Sequence, residues 1–419
     1  MKMNSYIKRL LENDIIENSE SFPVILVCGP RQVGKTTILE KIAKNKVNYV
    51  SLDNPLERKS AKEDPALFLE NHKPPLIIDE IQYATELLPY IKMAVDKARL
   101  ASFESDTPST GLYYLTGSQM FTMMQQVSES LAGRVGIMDM YGLSYSELIG
   151  KDQTYFLPTF ERCKAREGNK RPETLEIFEK ILRGSFPALY QNENMSIEKF
   201  YSSYLRTYLE RDIRDMITIK EETRFLTFIS AVAARTGQEL NYDNLAKDAQ
   251  IDNKTAKNWL SILRTSGLIF LLQSYSNNPT TRAIKAPKMY FTDTGLACYL
   301  AGYSDAKTLE KSAINGNIFE TYVVMEIVKS FVNDSKDPRL YLNFYRDSNQ
   351  AEIDLIITMN NIVYPIEIKK SKNPDRNMIK NFKVLNKGEK EIGEGGIICM
   401  VDTMVPLDDK NYAIPIQCI

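Results

Sequence analysis

A glycine-rich run near the N-terminus has the residue types that bind phosphate. Residues 29–36 read GPRQVGKT and fit the pattern GxxxxGK[ST] between an apolar run and a helical one. In this pattern the backbone amides surround the phosphates, Lys35 pairs with the β- and γ-phosphates, and Thr36 ligates Mg²⁺. We therefore expect ATP and Mg²⁺ as cofactors. The predicted binding residues are Gly29, Pro30, Arg31, Gln32, Val33, Gly34, Lys35, Thr36 and Thr37.

A pair of carboxylates follows the apolar run LII at residues 76–78. Asp79 at the end of a strand can hold Mg²⁺ through water, and Glu80 can polarise an attacking water molecule. The pair favours hydrolysis over transfer to an organic acceptor, which disfavours a small-molecule kinase. The alternative is an acidic N-cap of the helix that follows the strand.

Two further residues have either a nucleotide role or a structural one. Ser118, in LYYLTGSQ, either senses the γ-phosphate or positions water, or it is a helix N-cap. Arg134, in ESLAGR, either contacts a γ-phosphate or is a surface arginine. The γ-phosphate would belong to the same site or to a neighbouring subunit. The second arrangement predicts a homo-oligomer.

A second set of charged residues lies in AEIDLIITMNNIVYPIEIKK near the C-terminus. If Asn360 and Asn361 form a two-residue hairpin turn, Asp354 lies opposite Glu367 and Glu352 lies opposite Lys369. The period of two then places these four charged residues on one face. The other face is apolar and is predicted to be core.

Two opposed carboxylates on a sheet repel each other unless a divalent cation lies between them. Lys369 beside Glu367 can stabilise the developing charge of a phosphorane or position water. Asp354, Glu367 and Lys369 are therefore candidate catalytic residues, together with Glu80 in the first site. The alternative is a solvated hairpin face with an ion pair between Glu352 and Lys369.

Residues 241–263 have the apolar spacing of two helices joined by a short turn, which favours a helix-turn-helix. The strand-like run LIFLLQSYS follows, as a wing would. Residues 225–285 hold seven basic and four acidic residues, Arg282 among the former, so this part carries a charge of +3. It predicts DNA contact, with docking of a protein partner as the alternative. The second helix would expose Lys254, Lys257, Asn258, Ser261 and Arg264.

Length and composition limit the classes of protein. The 419 residues predict about three domains, and the net charge of −1 excludes a uniformly basic coat. A single histidine, His72, disfavours a histidine metal site or a Ser-His-Asp triad. Five widely spaced cysteines, with neither a signal peptide nor a membrane span, predict a cytoplasmic protein without a membrane partner.

Several motifs together resemble a prokaryotic family that joins an AAA+-like P-loop ATPase to a C-terminal domain of unknown function. They are GPRQVGKTT, LIIDEIQ, YLTGSQ, LAGR, GSFP, YLERDI, YFTDTGL, GNIFETYVV and EIDLI…IEIKKS. The resemblance covers nearly the whole chain. It implies an ATP-binding protein linked to nucleic acid or defence, with Lys35, Thr36, Asp79, Glu80 and Ser118 as nucleotide residues.

The arrangement of Asp354, Glu367 and Lys369 is similar to the core of PD-(D/E)xK nucleases, which hydrolyse phosphodiesters with Mg²⁺. Ile353 stands where these nucleases have proline. The resemblance implies that Glu320, in NIFETYVV, is a further acid. The predicted metal ligands are then Glu320, Asp354 and Glu367.

These observations predict an α/β fold in four parts. Residues 1–150 form an AAA+-like ATPase domain with a parallel sheet and 151–222 a helical lid or linker. Residues 223–304 form a winged helix and 305–419 an α/β restriction-endonuclease-like domain. The predicted function is ATP hydrolysis coupled to binding of DNA or another nucleic acid, with metal-dependent phosphodiester cleavage as an addition. The alternative is a nucleotide-gated regulatory switch that binds a protein partner and has an inactive nuclease-like domain.

Overall fold

The computed structural model describes residues 6–43, 47–105, 108–117, 126–127, 129–168, 173–208, 219–276 and 285–419. Ser118 and Arg282 lie outside these ranges, as does most of YLERDI. Within them, no helix is long and apolar enough to cross a membrane.

The N-terminal part contains the predicted parallel sheet. Its strand order is β2-β3-β4-β1-β5, and every pairing is parallel. The strands are β1 (Val24–Cys28), β2 (Asn48–Ser51), β3 (Leu76–Asp79), β4 (Tyr113–Gly117) and β5 (Val135–Asp139). Ile25 and Val27 face one hydrophobic core, while Val24, Leu26 and Cys28 face another. The run VILVC is apolar throughout because both faces of this central strand are buried.

Helices cover both faces of this sheet. The helices of this part are α1 (Leu11–Ser21), α2 (Lys35–Ala43), α3 (Pro55–Glu63), α4 (Pro65–Asn71), α5 (Leu87–Ala101) and α6 (Tyr145–Leu148). Leu11 and Ile38 pack in the first core, and Phe68 and Leu88 pack in the second.

Helices dominate the middle of the chain. They are α7 (Phe160–Arg166), α8 (Thr174–Arg183), α9 (Pro187–Gln191), α10 (Ile197–Tyr208), α11 (Ile219–Ala234), α12 (Tyr242–Ala249), α13 (Asn253–Thr265), α14 (Thr294–Leu300) and α15 (Ala306–Lys311). Strands β6 (Gln238–Glu239), β7 (Ile269–Leu272) and β8 (Lys288–Phe291) form an antiparallel sheet in the order β6-β8-β7.

Two side chains determine where α13 begins and which of its faces is buried. Asp252 caps α13 by accepting a hydrogen bond from the Thr255 amide at 2.8 Å. Trp259 packs edge-on against Phe225 and Phe228, with ring centroids 5.2 and 5.5 Å away. Trp259 is therefore a core residue, and the opposite face of α13 is left to solvent.

A buried aspartate joins two motifs that lie far apart in sequence. Asp293, in YFTDTGL, accepts hydrogen bonds from the Ser185 amide at 2.6 Å and the Ser185 hydroxyl at 2.8 Å. It also accepts from the Tyr201 hydroxyl at 2.8 Å and caps α14 through the Leu296 amide at 2.7 Å. Asp293 therefore fixes the GSFP segment, which leads into α9.

The C-terminal part combines a long helix with a mixed sheet of seven strands in the order β14-β15-β13-β11-β10-β9, with β12 beside β11. Strands β9, β10 and β11 are successive antiparallel neighbours, while β11, β13 and β15 are parallel. A 3₁₀ segment, Arg376–Lys387, connects β11 to the later strands. The other elements are α16 (Asn315–Val332), α17 (Pro338–Tyr341), β9 (Leu342–Arg346), β10 (Glu352–Met359), β11 (Ile362–Ile368), β12 (Glu391–Ile392), β13 (Gly395–Cys399), β14 (Val405–Pro406) and β15 (Asn411–Pro415).

The register of the β10–β11 hairpin is the predicted one, since Met359 pairs with Ile362 and Leu355 with Ile366. Both turn residues, at positions 360 and 361, have positive φ, 49° and 65°. The predicted apolar face is core at Leu355, Ile357, Ile366 and Ile368, but the prediction is wrong for Ile353. Ile353 packs with buried residues of the polar side, because the pairing with β9 shifts register between positions 353 and 356.

Candidate functional site

The phosphate-binding sequence forms a tight loop between β1 and α2. A Cβ atom on Gly29 would lie 1.9 Å from the carbonyl oxygen of Met140, so only glycine allows this approach. The Lys35 side chain is buried and donates to the carbonyl oxygens of Gly29 at 3.0 Å and Pro30 at 2.8 Å. Burial lowers the pKa of Lys35, although the nearby Glu80 carboxylate opposes this effect. The loop thus holds its own lysine in a fixed position.

Asp79 is the centre of a hydrogen-bond network beside this loop. Its Oδ1 atom accepts from the Thr36 and Thr116 hydroxyl groups, each at 2.6 Å. Its Oδ2 atom lies 3.3 Å from both the Tyr49 and Ser51 hydroxyl groups. The structure therefore brings Thr36 and Asp79 together, and their oxygen atoms are ligands of the kind that Mg²⁺ prefers.

Glu80 adopts a left-handed backbone conformation, with φ of 58°. This conformation is rare outside glycine and costs about 1–3 kcal/mol, so it is concentrated at functional sites. The Glu80 amide donates to the Thr116 hydroxyl at 3.0 Å. The Glu80 carboxylate accepts from Gln82 and lies 4.0 Å from Arg31 Nη1. These contacts hold the predicted water-activating carboxylate beside the loop.

A cavity of about 280 Å³ lies over the loop residues Gln32–Thr37 and Glu80. Tyr6 and Ile7 line it from the N-terminal segment, and residues 187, 188 and 191 line it from α9. The volume is close to the lower end of the range of small-molecule sites, about 300–1,000 Å³. The GSFP segment therefore positions part of the cover of this cavity.

Arg9 and Thr116 are among the residues of this site that sequence reasoning missed. Arg9 is buried, and its guanidinium donates to the Val33 carbonyl oxygen of the loop and to Glu147, each at 2.8 Å. Arg9 lies just before α1, which begins at Leu11. Thr116 was also missed. Its position near the carboxyl end of an apolar strand could have predicted it. The carboxyl ends of neighbouring parallel strands lie at the same edge of a sheet, and this strand pairs with β3.

Arg134 does not lie at the phosphate loop of its own chain. Its carbonyl oxygen accepts from the Val24 amide at 3.1 Å, which places it at the start of β1, whereas the loop follows the end of that strand. Five residues of strand separate these positions by about 13 Å. Its guanidinium instead pairs with Asp96, at 2.6 and 3.1 Å. The predicted contact within the same site is therefore wrong, and contact with a neighbouring subunit stays a prediction.

A second cluster of charges lies where β8, α16 and the β10–β11 hairpin meet. Lys369 Nζ lies 2.8 Å from Asp354 Oδ2 and 2.7 Å from Glu367 Oε2. The Ile368 amide donates to the same Asp354 oxygen at 2.8 Å. The structure therefore brings the three predicted hairpin residues together, and both carboxylates are buried.

Lys288, at the start of β8, enters this cluster and was missed by sequence reasoning. Its Nζ atom lies 2.9 Å from Glu320 Oε1, 2.7 Å from Glu352 Oε1 and 3.8 Å from Asp354 Oδ1. The Tyr290 hydroxyl donates to Glu320 Oε1 at 2.7 Å. A single charged residue directly before the apolar run MYF could have indicated a buried, paired lysine.

The predicted metal ligands Glu320, Asp354 and Glu367 do not fit a metal centre. Across the described ranges, no group of three or more histidine, cysteine, aspartate and glutamate side chains is arranged to hold a metal ion. The ammonium groups of Lys288 and Lys369 contact these carboxylates instead. The cluster is a network of hydrogen bonds and ion pairs, in which the two lysines supply the positive charge that faces the acids.

The environment separates the pKa values of these acids. Burial and the nearby Asp354 carboxylate raise the pKa of Glu367 to about 9 and that of Glu320 to about 7. Burial also acts to raise the pKa of Asp354, but Lys369 and Lys288 hold it below its ordinary value. At neutral pH, Asp354 is therefore ionised and Glu367 keeps its proton.

Stability should fall as pH rises from 7 to 9, because folding holds a proton on Glu367 that the unfolded chain, with an ordinary value of 4.5, has already released. The contribution of one such group reaches about 1.4 kcal/mol per pH unit. Glu367→Gln should flatten this part of the profile, as measured by urea unfolding at pH 7 and 9. Equal slopes for the wild type and the variant would contradict the assignment.

Family models match three successive parts of the chain. Residues 21–149 match an AAA domain, 174–307 match a domain of unknown function (DUF8612), and 315–419 match another (DUF4143). The first match includes the phosphate loop and the parallel sheet. The chain therefore contains a P-loop ATPase-like domain.

Relatives in sequence and structure are distant. Uncharacterized proteins Rv2008c of Mycobacterium tuberculosis and Mb2031c of Mycobacterium bovis are each 24% identical over 396 residues, which cover 94% of this chain and 80% of theirs. The Walker-type ATPase PABY2304 of Pyrococcus abyssi is 15% identical, with a TM-score of 0.43, over 70% of this chain and 96% of that one. AMPPCP-bound DnaA from Aquifex aeolicus is 13% identical, with a TM-score of 0.28, over 61% of this chain and 86% of that one.

Proposed function

We propose that this protein hydrolyses ATP and that its nucleotide state controls DNA binding by α13. The observation that carries the proposal is a direct contact between the phosphate loop and the turn that ends α13. The cleavage of phosphodiesters is not part of the proposal, because the acidic cluster of the C-terminal domain is neutralised by lysines. Five buried, unpaired cysteines, all within the described residues, support a cytoplasmic location.

The residues of the first site have the chemistry for hydrolysis. Lys35 and the loop amides bind the phosphates, and Glu80 polarises the attacking water. Thr36 and Asp79 would hold Mg²⁺, which neutralises phosphate charge when it is bound. The buried network around Asp79 keeps its carboxylate oriented toward Thr36.

Helix α13 has a surface suited to phosphate contacts. Its predicted outward residues Lys254, Lys257, Asn258, Ser261 and Arg264 are all exposed. On its other side, Trp259, Leu260 and Leu263 are buried. The order α11-β6-α12-α13-β7-β8 supports the proposed winged helix, in which the second helix of the helix-turn-helix would enter the major groove.

The end of α13 lies against the phosphate loop. Gly267, two residues beyond the helix, has φ of +73°, and a Cβ atom there would lie 3.0 Å from the Cγ and Cδ atoms of Pro30. The neighbouring Ser266 hydroxyl hydrogen-bonds the Tyr208 hydroxyl of α10 at 2.9 Å. A rearrangement of the loop on nucleotide binding therefore reaches α13 through packed atoms, which is the physical connection that coupling requires.

The double substitution Lys254→Ala and Lys257→Ala should weaken duplex DNA binding about tenfold. It should also make the slope of log affinity against log salt shallower by about two, because two phosphate contacts are lost. Fluorescence anisotropy with a labelled duplex at several salt concentrations measures both effects. ATP turnover should remain unchanged.

The matched control is Lys307→Ala with Lys311→Ala, which removes two exposed lysines from α15. This control should bind DNA as the wild type does. Equal DNA binding by the α13 variant and the control would contradict the proposed interface. Such a result would favour α13 as a docking surface for a protein partner.

A further inference from the structure

We infer that Lys288 is a built-in cation that takes the place of a divalent metal in the C-terminal acidic cluster. The domain therefore holds no metal at this cluster, and cleaves no phosphodiester there, while β8 is in place. This inference is independent of the proposed ATP-dependent DNA binding, since it concerns a site without nucleotide.

The position of the Lys288 ammonium group is the first argument. Its Nζ atom lies within 4 Å of carboxylates from two different elements, Glu320 on α16 and the pair Glu352 and Asp354 on β10. The side chain is only 4% exposed, so water screens these interactions little. A single central positive charge bridging several oxygen atoms has the electrostatic role that Mg²⁺ has in a carboxylate site.

The remaining oxygen atoms of the cluster are also engaged. Asp354 Oδ2 accepts from Lys369 Nζ and the Ile368 amide, each at 2.8 Å. Glu367 Oε2 pairs with the same lysine at 2.7 Å. Two ammonium groups together supply the charge of one divalent ion. A metal entering the cluster would have to displace contacts that already satisfy these carboxylates.

The backbone around Lys288 keeps its side chain in the cluster. Lys288 pairs with Glu239 of β6 and with Leu272 of β7 in the antiparallel sheet. The ammonium group can therefore leave the cluster only if the buried side chain changes rotamer or if β8 moves. Strand β8 belongs to the β6-β8-β7 sheet that adjoins α13. Lys288 therefore connects the proposed DNA-binding part to the C-terminal domain through its contacts with the acids.

Lys288→Met tests the inference, because it keeps most of the side-chain volume and removes the charge. Titration of nucleotide-free protein with Mn²⁺, followed by electron paramagnetic resonance, counts the bound ions. We expect the variant to bind one more Mn²⁺ than the wild type. A second substitution, Asp354→Asn, should abolish that extra site. The control Lys285→Met removes a lysine that donates to the Arg346 carbonyl oxygen outside the cluster, and it should add no site.

If Lys288→Met folds poorly, its melting temperature with and without Mn²⁺ still tests the inference. The variant should melt at a lower temperature than the wild type, and Mn²⁺ should raise its melting temperature by more than it raises that of the wild type. A wild-type Mn²⁺ site that Asp354→Asn removes would overturn the inference, as would metal-dependent nicking of supercoiled DNA that the same substitution abolishes. A folded Lys288→Met variant without an extra Mn²⁺ would overturn it as well.

Discussion

Lys35→Ala should abolish ATP binding and reduce ATP turnover by about 10²–10³-fold or more, as expected when one preorganised charge is removed from a reacting phosphate. The lysine is buried, and two carbonyl oxygens of its own loop orient it. Binding of a fluorescent ATP analogue and release of inorganic phosphate measure the two effects.

Lys62→Ala is the matched control for Lys35→Ala. Lys62 lies on α3 in the same domain, and its side chain is exposed. This control should bind and hydrolyse ATP as the wild type does, and circular dichroism should show that both variants fold. Unchanged ATP affinity in Lys35→Ala would contradict the assignment of residues 29–36 as the ATP-binding loop.

Glu80→Gln should bind ATP with nearly unchanged affinity and hydrolyse it about 10²–10⁴ times more slowly, the usual contribution of a general base. The substitution preserves the size of the side chain and removes the charge that polarises water. Single-turnover phosphate release separates the chemical step from ATP binding. Turnover at the wild-type rate would show that another group activates the water.

The products of the reaction distinguish hydrolysis from phosphoryl transfer. A small-molecule kinase would convert ATP into ADP and a phosphorylated acceptor. An ATPase releases one phosphate for each ADP without an added acceptor. We expect this equal release from the wild-type protein.

The sequence predicted those features of the fold and the site that depend on residues close together in the chain. The phosphate loop follows from two glycines, a lysine and a threonine at fixed spacing between a strand and a helix. The contact between Thr36 and Asp79 follows because carboxyl ends of parallel strands share one edge of a sheet. The hairpin register follows from its two-asparagine turn, since turn length fixes the pairing of both strands.

Long-range packing determines the features that sequence reasoning missed. Arg9 meets the phosphate loop across 24 residues, and Lys288 meets Glu320 across 32 and Glu352 across a longer stretch. Such partners depend on how domains pack, which no spacing rule encodes. Arg134 was assigned from its motif, but strand direction places it at the edge of the sheet opposite the loop.

The affinity of the Glu80→Gln variant for duplex DNA, compared in ATP, in ADP and without nucleotide, tests the central claim most directly. This variant holds ATP long enough for equilibrium binding to be measured. Coupling between two sites is typically worth about 1–3 kcal/mol, so we expect affinities in ATP and ADP to differ by at least about fivefold. Identical affinities in all three conditions would contradict the claim that the nucleotide site controls α13.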